Sequence, residues 1–268
     1  MTNSSSDVAP WIERLARVGY TAKAVLYITI GYLASRAALG QGGRVTDTQG
    51  ALQEVETASY GQAILFIIAA GLIGYGAWQL VEAVLDPEGR GTGLKGILLR
   101  LGFAVRGLFH GLLGITAIRI ALGDGRGSSA NQAPRWTAQA FELPGGELLV
   151  WLAAAGIAGY GVYQFYRSWS PKMRRHLRLA ELPEGIRRWV LGVSRFGIAA
   201  RDVVFCLIGL FFLRAAWRHD ATQAGGLQES LRTLARLGYW PFLVVAFGLV
   251  AYGVYELVNA RYRQINVQ

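Results

Sequence analysis

Residues 17–36 read RVGYTAKAVLYITIGYLASR. The same frame returns without gaps as RLGFAVRGLFHGLLGITAIR at 100–119 and as RFGIAARDVVFCLIGLFFLR at 195–214. Arg17, Arg100 and Arg195 correspond, as do Gly19, Gly102 and Gly197; Lys23, Arg106 and Arg201; Gly31, Gly114 and Gly209; and Arg36, Arg119 and Arg214. A second string alternates with the first: GLIGYGAWQ at 71–79, GIAGYGVYQ at 156–164 and GLVAYGVYE at 248–256. Matched positions at a fixed register in three copies are the mark of a repeated structural unit. The chain divides into three two-helix units, 10–92, 93–183 and 184–268, within a single domain spanning 1–268.

Composition sets the medium in which those units fold. Of 268 residues, 53% are hydrophobic, 35 are Gly and only 16% are charged, and the mean hydropathy is +0.30. This is a membrane protein's composition. Six segments, 18–39, 63–83, 99–122, 148–166, 196–217 and 242–260, approach the ~20 residues that a helix needs to cross a bilayer. The runs are too long for barrel strands and lack alternation of period two. Helices are then the way for backbone in lipid to satisfy its own hydrogen bonds. The expected fold is all-α and integral to the membrane, with six transmembrane helices as three parallel two-helix repeats about a pseudo-three-fold axis.

Charge gives the orientation. A net charge of +10 would point to nucleic acid in a soluble chain, but here it sits mostly in short loops beside apolar runs, so no nucleic-acid partner is expected. With the N-terminus inside, the inner side holds Arg14, Arg17, Arg90, Lys95, Arg100, Arg167, Lys172, Arg174, Arg175, Arg178, Arg187, Arg188, Arg195, Arg261 and Arg263. The outer side holds Arg44, Arg126, Arg135, Arg218, Arg232 and Arg236. That bias places both termini in the cytoplasm. The N-terminal stretch MTNSSSDVAPWIER is polar, with no basic n-region, so the first hydrophobic helix is expected to be retained. Cys206, the single cysteine, lies in an apolar run and can neither staple the fold nor assemble a metal site. No metal and no cofactor are expected.

The triplicated pattern, R-x-G-x-x-x-[KR] opening each odd span and G-x-x-[GA]-Y-G-x-[WY]-[QE] in each even one, resembles the bacterial membrane family called domain of unknown function 1206. The stretches VEAVLDPEGRG and GALQEVE are similar to that family as well. The resemblance covers almost the whole chain. It implies a six-helix integral membrane protein of bacteria and implies no activity; the expected location is the cytoplasmic (inner) membrane.

Residues four apart stack on one helix face. Each odd span carries such a row: Gly19, Lys23, Tyr27, Gly31; Gly102, Arg106, His110, Gly114; Gly197, Arg201, Phe205, Gly209. Each even span carries another: Gly71, Tyr75, Gln79; Gly156, Tyr160, Gln164; Gly248, Tyr252, Glu256. These glycines are candidate helix-packing positions, where small residues let backbones approach. Antiparallel spans put Gly31 level with Gly71, Tyr27 with Tyr75 and Lys23 with Gln79, and likewise Arg106 with Gln164 and Arg201 with Glu256. Each cation thereby meets an acceptor within its own unit. Two readings stay open for Lys23, Arg106 and Arg201: helix pairing with Gln79, Gln164, Glu256 and the tyrosines, or a basic ring that holds an anion or a lipid head group.

Other features carry less. His110 is replaced by Tyr27 and Phe205 in the other copies and reads as a packed neutral imidazole. GRGTGLKG at 89–96 lacks phosphate-loop spacing and reads as a linker. The stretch 167–188 reads as a basic inner loop, and GDGRGSSANQAPRW at 123–136 as mobile. Each outer connection holds a short amphipathic helix, clearest where Leu227, Leu231, Leu234 and Leu237 share a face. No paired carboxylates and no nucleophile–base set recur, so no catalytic residue is assigned and no enzyme is expected. Two functions remain: a structural or partner- and lipid-binding membrane protein, or a small transporter or channel for an anionic solute along the pseudo-axis. The bilayer, with anionic lipids as candidates, is the expected partner; protein partners and oligomeric state do not follow from the sequence.

Overall fold

The computed structural model describes residues 10–86, 91–124, 132–168 and 183–262. In chain order the helices are α1 (Pro10–Ala38), α2 (Thr48–Glu56), α3 (Gly61–Leu85), α4 (Leu94–Ala121), α5 (Gln132–Phe141), α6 (Gly146–Ser168), α7 (Glu184–Arg218), α8 (Leu227–Leu237) and α9 (Tyr239–Tyr262). The order long, short, long recurs three times, so each unit has a short helix between its two long ones. Asp47 caps α2 by accepting a hydrogen bond from the Gly50 N–H at 2.9 Å, as an N-cap carboxylate does.

Five helices are long and apolar enough to cross a membrane: α3, α4 from Gly96, α6 as far as Tyr166, α7 and α9. The expected sixth span, α1, is 29 residues long but falls outside that set. Lys23, Tyr20, Tyr27 and Tyr32 dilute its apolar stretch. Four further expectations are corrected. Helix α7 begins at Glu184, so Arg187 and Arg188 lie on a helix and not in a loop. Helix α4 begins at Leu94, inside the stretch read as a linker. The polar segment read as mobile is helical from Gln132 onward, its residues 125–131 lying outside the described residues. On α8, Leu231 and Leu234 are buried but Leu237 is 68% exposed, because the helix ends there and the chain turns at Gly238.

The dominant helix pairs are α3 with α4, α6 with α7, and α9 with α1. Each joins the even span of one unit to the odd span of the next. Within units, α1 packs on α3 and α7 on α9, whereas α4 and α6 make no contact of that order. The bundle therefore runs α4, α3, α1, α9, α7, α6, with an open seam between its two ends. Half of the apolar window of α3 and of α9 is buried, against 17% of that of α4 and α6. The core is built around α1: Leu26, Ile30 and Ala34 pack with Leu52 of α2, Leu65 and Leu72 of α3, and Ala246 and Leu249 of α9.

Close approach at glycine sets the distances. A Cβ on Gly76 would lie 2.8 Å from Gly107 O and 2.9 Å from Gly111 N on α4; one on Gly253 would lie 2.9 Å from Ala24 O and 3.0 Å from Ile28 N on α1. Gly161 meets Cys206 N of α7 at 3.0 Å in the corresponding way. The glycine of the Tyr-Gly pair is thus the contact between units. The first glycine of the string faces its own unit's odd helix, Gly71 against Val18 O at 2.9 Å. Gly156, expected to pack in the same way, meets no atom within 4 Å, nor does Gly102. Both face the seam.

Gly76→Ala will lower the melting temperature in detergent, since overpacking of about 1–3 kcal/mol outweighs the ~1 kcal/mol helix-propensity gain. Gly156→Ala keeps that gain without a clash and leaves the melting temperature unchanged or raised. Equal destabilisation of both proteins would contradict the open seam.

Candidate functional site

The arginine that opens each repeat performs a backbone task. Arg17 Nη1 donates to Ala260 O at 2.6 Å and to Arg261 O at 2.8 Å, at the C-terminus of α9. Arg100 donates from Nε to Ala83 O at 2.7 Å and from Nη2 to Val84 O at 2.8 Å, at the C-terminus of α3. Helix C-termini expose unpaired carbonyls and carry partial negative charge, so a guanidinium satisfies both. The pairing again crosses unit boundaries. The third copy, Arg195, corresponds to the last residues of α6 and to position 169, which lies outside the described residues.

About six residues further along each odd helix, roughly 9 Å by helical rise, lie the three cations. Lys23 Nζ meets Glu256 Oε1 at 2.7 Å, with side chains 11% and 2% exposed. Tyr252 OH donates to the same carboxylate. Arg201 Nη1 donates to Tyr252 OH at 2.8 Å, and its Nη2 meets Asp202 Oδ1 at 2.7 Å, with side chains 13% and 0% exposed. Lys23, Glu256, Tyr252, Arg201 and Asp202 form one continuous chain joining α1, α9 and α7. Two cations and two carboxylates sum to zero charge. Aromatic faces complete the surroundings: Lys23 Nζ is 5.1 Å from the Tyr75 ring centre and 5.5 Å from that of Tyr20, and Arg201 Cζ is 5.1 Å from that of Phe205.

The sequence places Lys23 beside Gln79, Arg106 beside Gln164 and Arg201 beside Glu256, each within one unit. In the structure Lys23 pairs with Glu256 of another unit, Arg201 bonds to Tyr252 of its own unit and to Asp202, and Arg106 bonds to its own helix. The ring contacts at these levels join each odd helix to the even helix of the preceding unit, cyclically. Tyr27 packs edge-on against Tyr252 at 4.6 Å, His110 against Tyr75 at 4.9 Å and Phe205 against Tyr160 at 5.7 Å. Gly31 likewise sits against Ala246 O and Val250 N, at 2.8 and 2.6 Å from an added Cβ. Gly114 lies against Ala69 and Ile73 of α3, and Gly209 against Ala158 of α6. Gly19, Gly197 and Gly248 contact the facing helix of their own unit. The physical reason is close approach: the glycine that follows the tyrosine in each even helix admits the backbone of the odd helix of the next unit, at Gly76 with α4, Gly161 with α7 and Gly253 with α1.

Arg106 differs from its two copies. Its Nε donates to Gly102 O at 3.0 Å, one turn back on its own helix, and its guanidinium lies 4.5 Å from the Phe103 ring centre. Among the described residues it has no carboxylate partner. The level residue on α3, Gln79, is buried and donates from Nε2 to Tyr75 OH at 3.3 Å. Position 107, which corresponds to Asp202, is Gly. Across the seam α6 offers Tyr160 and Gln164, both half-buried. His110 Nδ1 lies 2.8 Å from Arg106 O, consistent with a packed side chain. Sequence reasoning missed Asp202 because it has no counterpart in the other units. It also passed over Gly76, Gly161 and Gly253, although all three copies spell them.

Comparison with known proteins places the chain. The profile of the Domain of Unknown Function DUF1206 matches three times, at residues 18–86, 101–170 and 196–263. A Bacillus subtilis (strain 168) protein called uncharacterized protein YxxB is 29% identical over 267 residues, covering 99% of this chain and 96% of its relative. No solved structure matches. With a unit repeated three times in sequence, arranged as corresponding helix pairs and matched three times by one profile, the chain belongs to the DUF1206 family.

Proposed function

We propose that this protein is a six-helix integral protein of the bacterial cytoplasmic membrane, with both termini cytoplasmic and its three units arranged about a pseudo-three-fold axis. Its role in this reading is that of a non-catalytic, partner- or lipid-binding membrane protein. Packing supports counting α1 as the sixth span: it lies between α3 and α9, both apolar enough to cross, and shares their core. The basic residues of the loops support the orientation.

The observation that carries the functional reading is the ion chain through Lys23, Glu256, Tyr252, Arg201 and Asp202. A route for anions along the axis would use the three cations as a ring. Two of the three are already neutralised by buried carboxylates, so their charge holds helices together and is not available to a solute. A buried charge is tolerated in a bundle when it is paired and hydrogen-bonded, and removing one partner costs about 3–5 kcal/mol.

Lys23→Gln will therefore lower the melting temperature by leaving Glu256 without its cation, and adding Glu256→Gln will restore part of the loss. Unchanged stability of Lys23→Gln in detergent would sink the structural reading and return that cation to a solute site. Reporter fusions after Arg90 and Lys172 will report the cytoplasm, and fusions near Arg44, Arg135 and Arg218 the opposite side. One reversed loop breaks the three-unit topology.

A further inference from the structure

Arg106 and the seam beside it belong together. In the third unit, Arg201 reaches across to Tyr252 on its own unit's even helix at 2.8 Å. The equivalent reach in the second unit would run from Arg106 to Tyr160, but α4 and α6 stand apart and Arg106 turns back on Gly102 O. The seam walls are bare where the other units are packed: added Cβ atoms on Gly102, Gly156 and Gly159 meet nothing within 4 Å. Around them the surface is apolar, with Leu101, Val105 and Leu152 58–60% exposed. The seam opens sideways, toward the medium that α4 and α6 face. A side chain on a helix leans toward the helix N-terminus, and the bond to Gly102 O confirms that lean here. It brings the guanidinium to within about two residues of the level of Arg100, roughly 3 Å along the axis, near the membrane surface at which Arg100 caps α3.

We propose that the seam between α4 and α6 holds one anionic phospholipid, its phosphate taken by Arg106 and an acyl chain lying along the open glycine faces of the two helices. The inference rests on the membrane-embedded reading above. A guanidinium presents a planar fork of N–H donors that matches a phosphate's oxygens, and this one lacks the counter-charge that its copies possess. The apolar walls match a lipid chain and offer nothing to a free anion beyond the one cation. A second copy of the chain is a poor occupant, because a two-fold contact on this face would bring Arg106 against Arg106.

The test uses the full chain, purified in neutral detergent and presented with phosphatidylglycerol, phosphatidylcholine or inorganic phosphate. Bound lipid is counted by native mass spectrometry and folding is followed by thermal melting. Wild type will retain one phosphatidylglycerol in preference to phosphatidylcholine, and Arg106→Gln will weaken that retention by about tenfold, as loss of charge-assisted hydrogen bonds does. Arg106→Lys will keep most of the preference, and Arg232→Gln, on α8, will keep all of it. Gly156→Leu fills the seam without touching Arg106 and will lower retention at unchanged melting temperature; it decides the matter if Arg106→Gln does not fold. Equal retention by wild type and by the folded variants overturns the proposal, as does inorganic phosphate displacing the lipid at low millimolar concentration, which would identify a free-anion site. Failure of the wild type to enter the membrane fraction is a separate result that sinks the membrane reading itself.

Discussion

The tightest constraint in this bundle is the approach of one helix backbone to another at glycine. At Gly76 and Gly253 the facing carbonyl oxygen lies 2.8–2.9 Å from where a methyl carbon would stand. Any side chain would push the helices apart. Helices in lipid gain little by hiding apolar surface from one another, since the surrounding chains are as apolar as they are. What remains is contact distance, and contact distance is decided by the smallest residue in the interface. The pair Y-G recurs because each copy must supply that residue at the same level, once for every junction between units.

Close packing creates the next requirement. Once α1, α9 and α7 approach at their glycines, the side chains one turn away share a narrow apolar interior, and Lys23 and Arg201 fall within it. A cation there is tolerated when a carboxylate and further donors or acceptors surround it. Glu256 and Asp202 meet that need from different directions, one from the neighbouring unit and one from the next residue on the same helix. Tyr252 ties the two pairs together by bonding to both sides. The second oxygens, Glu256 Oε2 and Asp202 Oδ2, are buried without a partner among the described residues. Each carboxylate therefore depends heavily on the cation it has.

Much of this was legible before the structure, and the part that was not has a specific cause. Repetition located the units, the glycine rows and the cations, because a period read three times needs no knowledge of packing. The levels were legible too, since equal spacing along antiparallel helices fixes depth. Which helix stands opposite was not. Lys23 is equally deep relative to Gln79 and to Glu256, and only the choice of neighbour separates a polar contact from a salt bridge. Depth is a one-dimensional quantity and pairing is not. Asp202 and the seam were illegible for a related reason: both are departures from the repeat, and an argument built on matched positions averages departures away.

The open seam follows from the same electrostatics that closes the other two units. For α4 to meet α6 as α7 meets α9, Arg106 would have to enter a contact from which water is excluded. Counter-charge could reach it from three directions. The preceding unit offers Gln79, the next residue on its own helix is Gly107, and α6 offers Tyr160 and Gln164. These matched positions are neutral, where the other units have Glu256 or Asp202, and Arg106 has no carboxylate partner among the described residues. Desolvating a guanidinium without a carboxylate beside it is costly, and glycine contacts at Gly102 and Gly156 would supply no counter-charge. The second unit therefore stays apart, its glycines bare and its arginine bonded to its own backbone. One carboxylate placed at position 107 or 164 would remove the obstacle. Among the three matched cations Lys23, Arg106 and Arg201, Arg106 alone lacks a carboxylate partner among the described residues, so the repeat is broken by its acceptors and not by its cations.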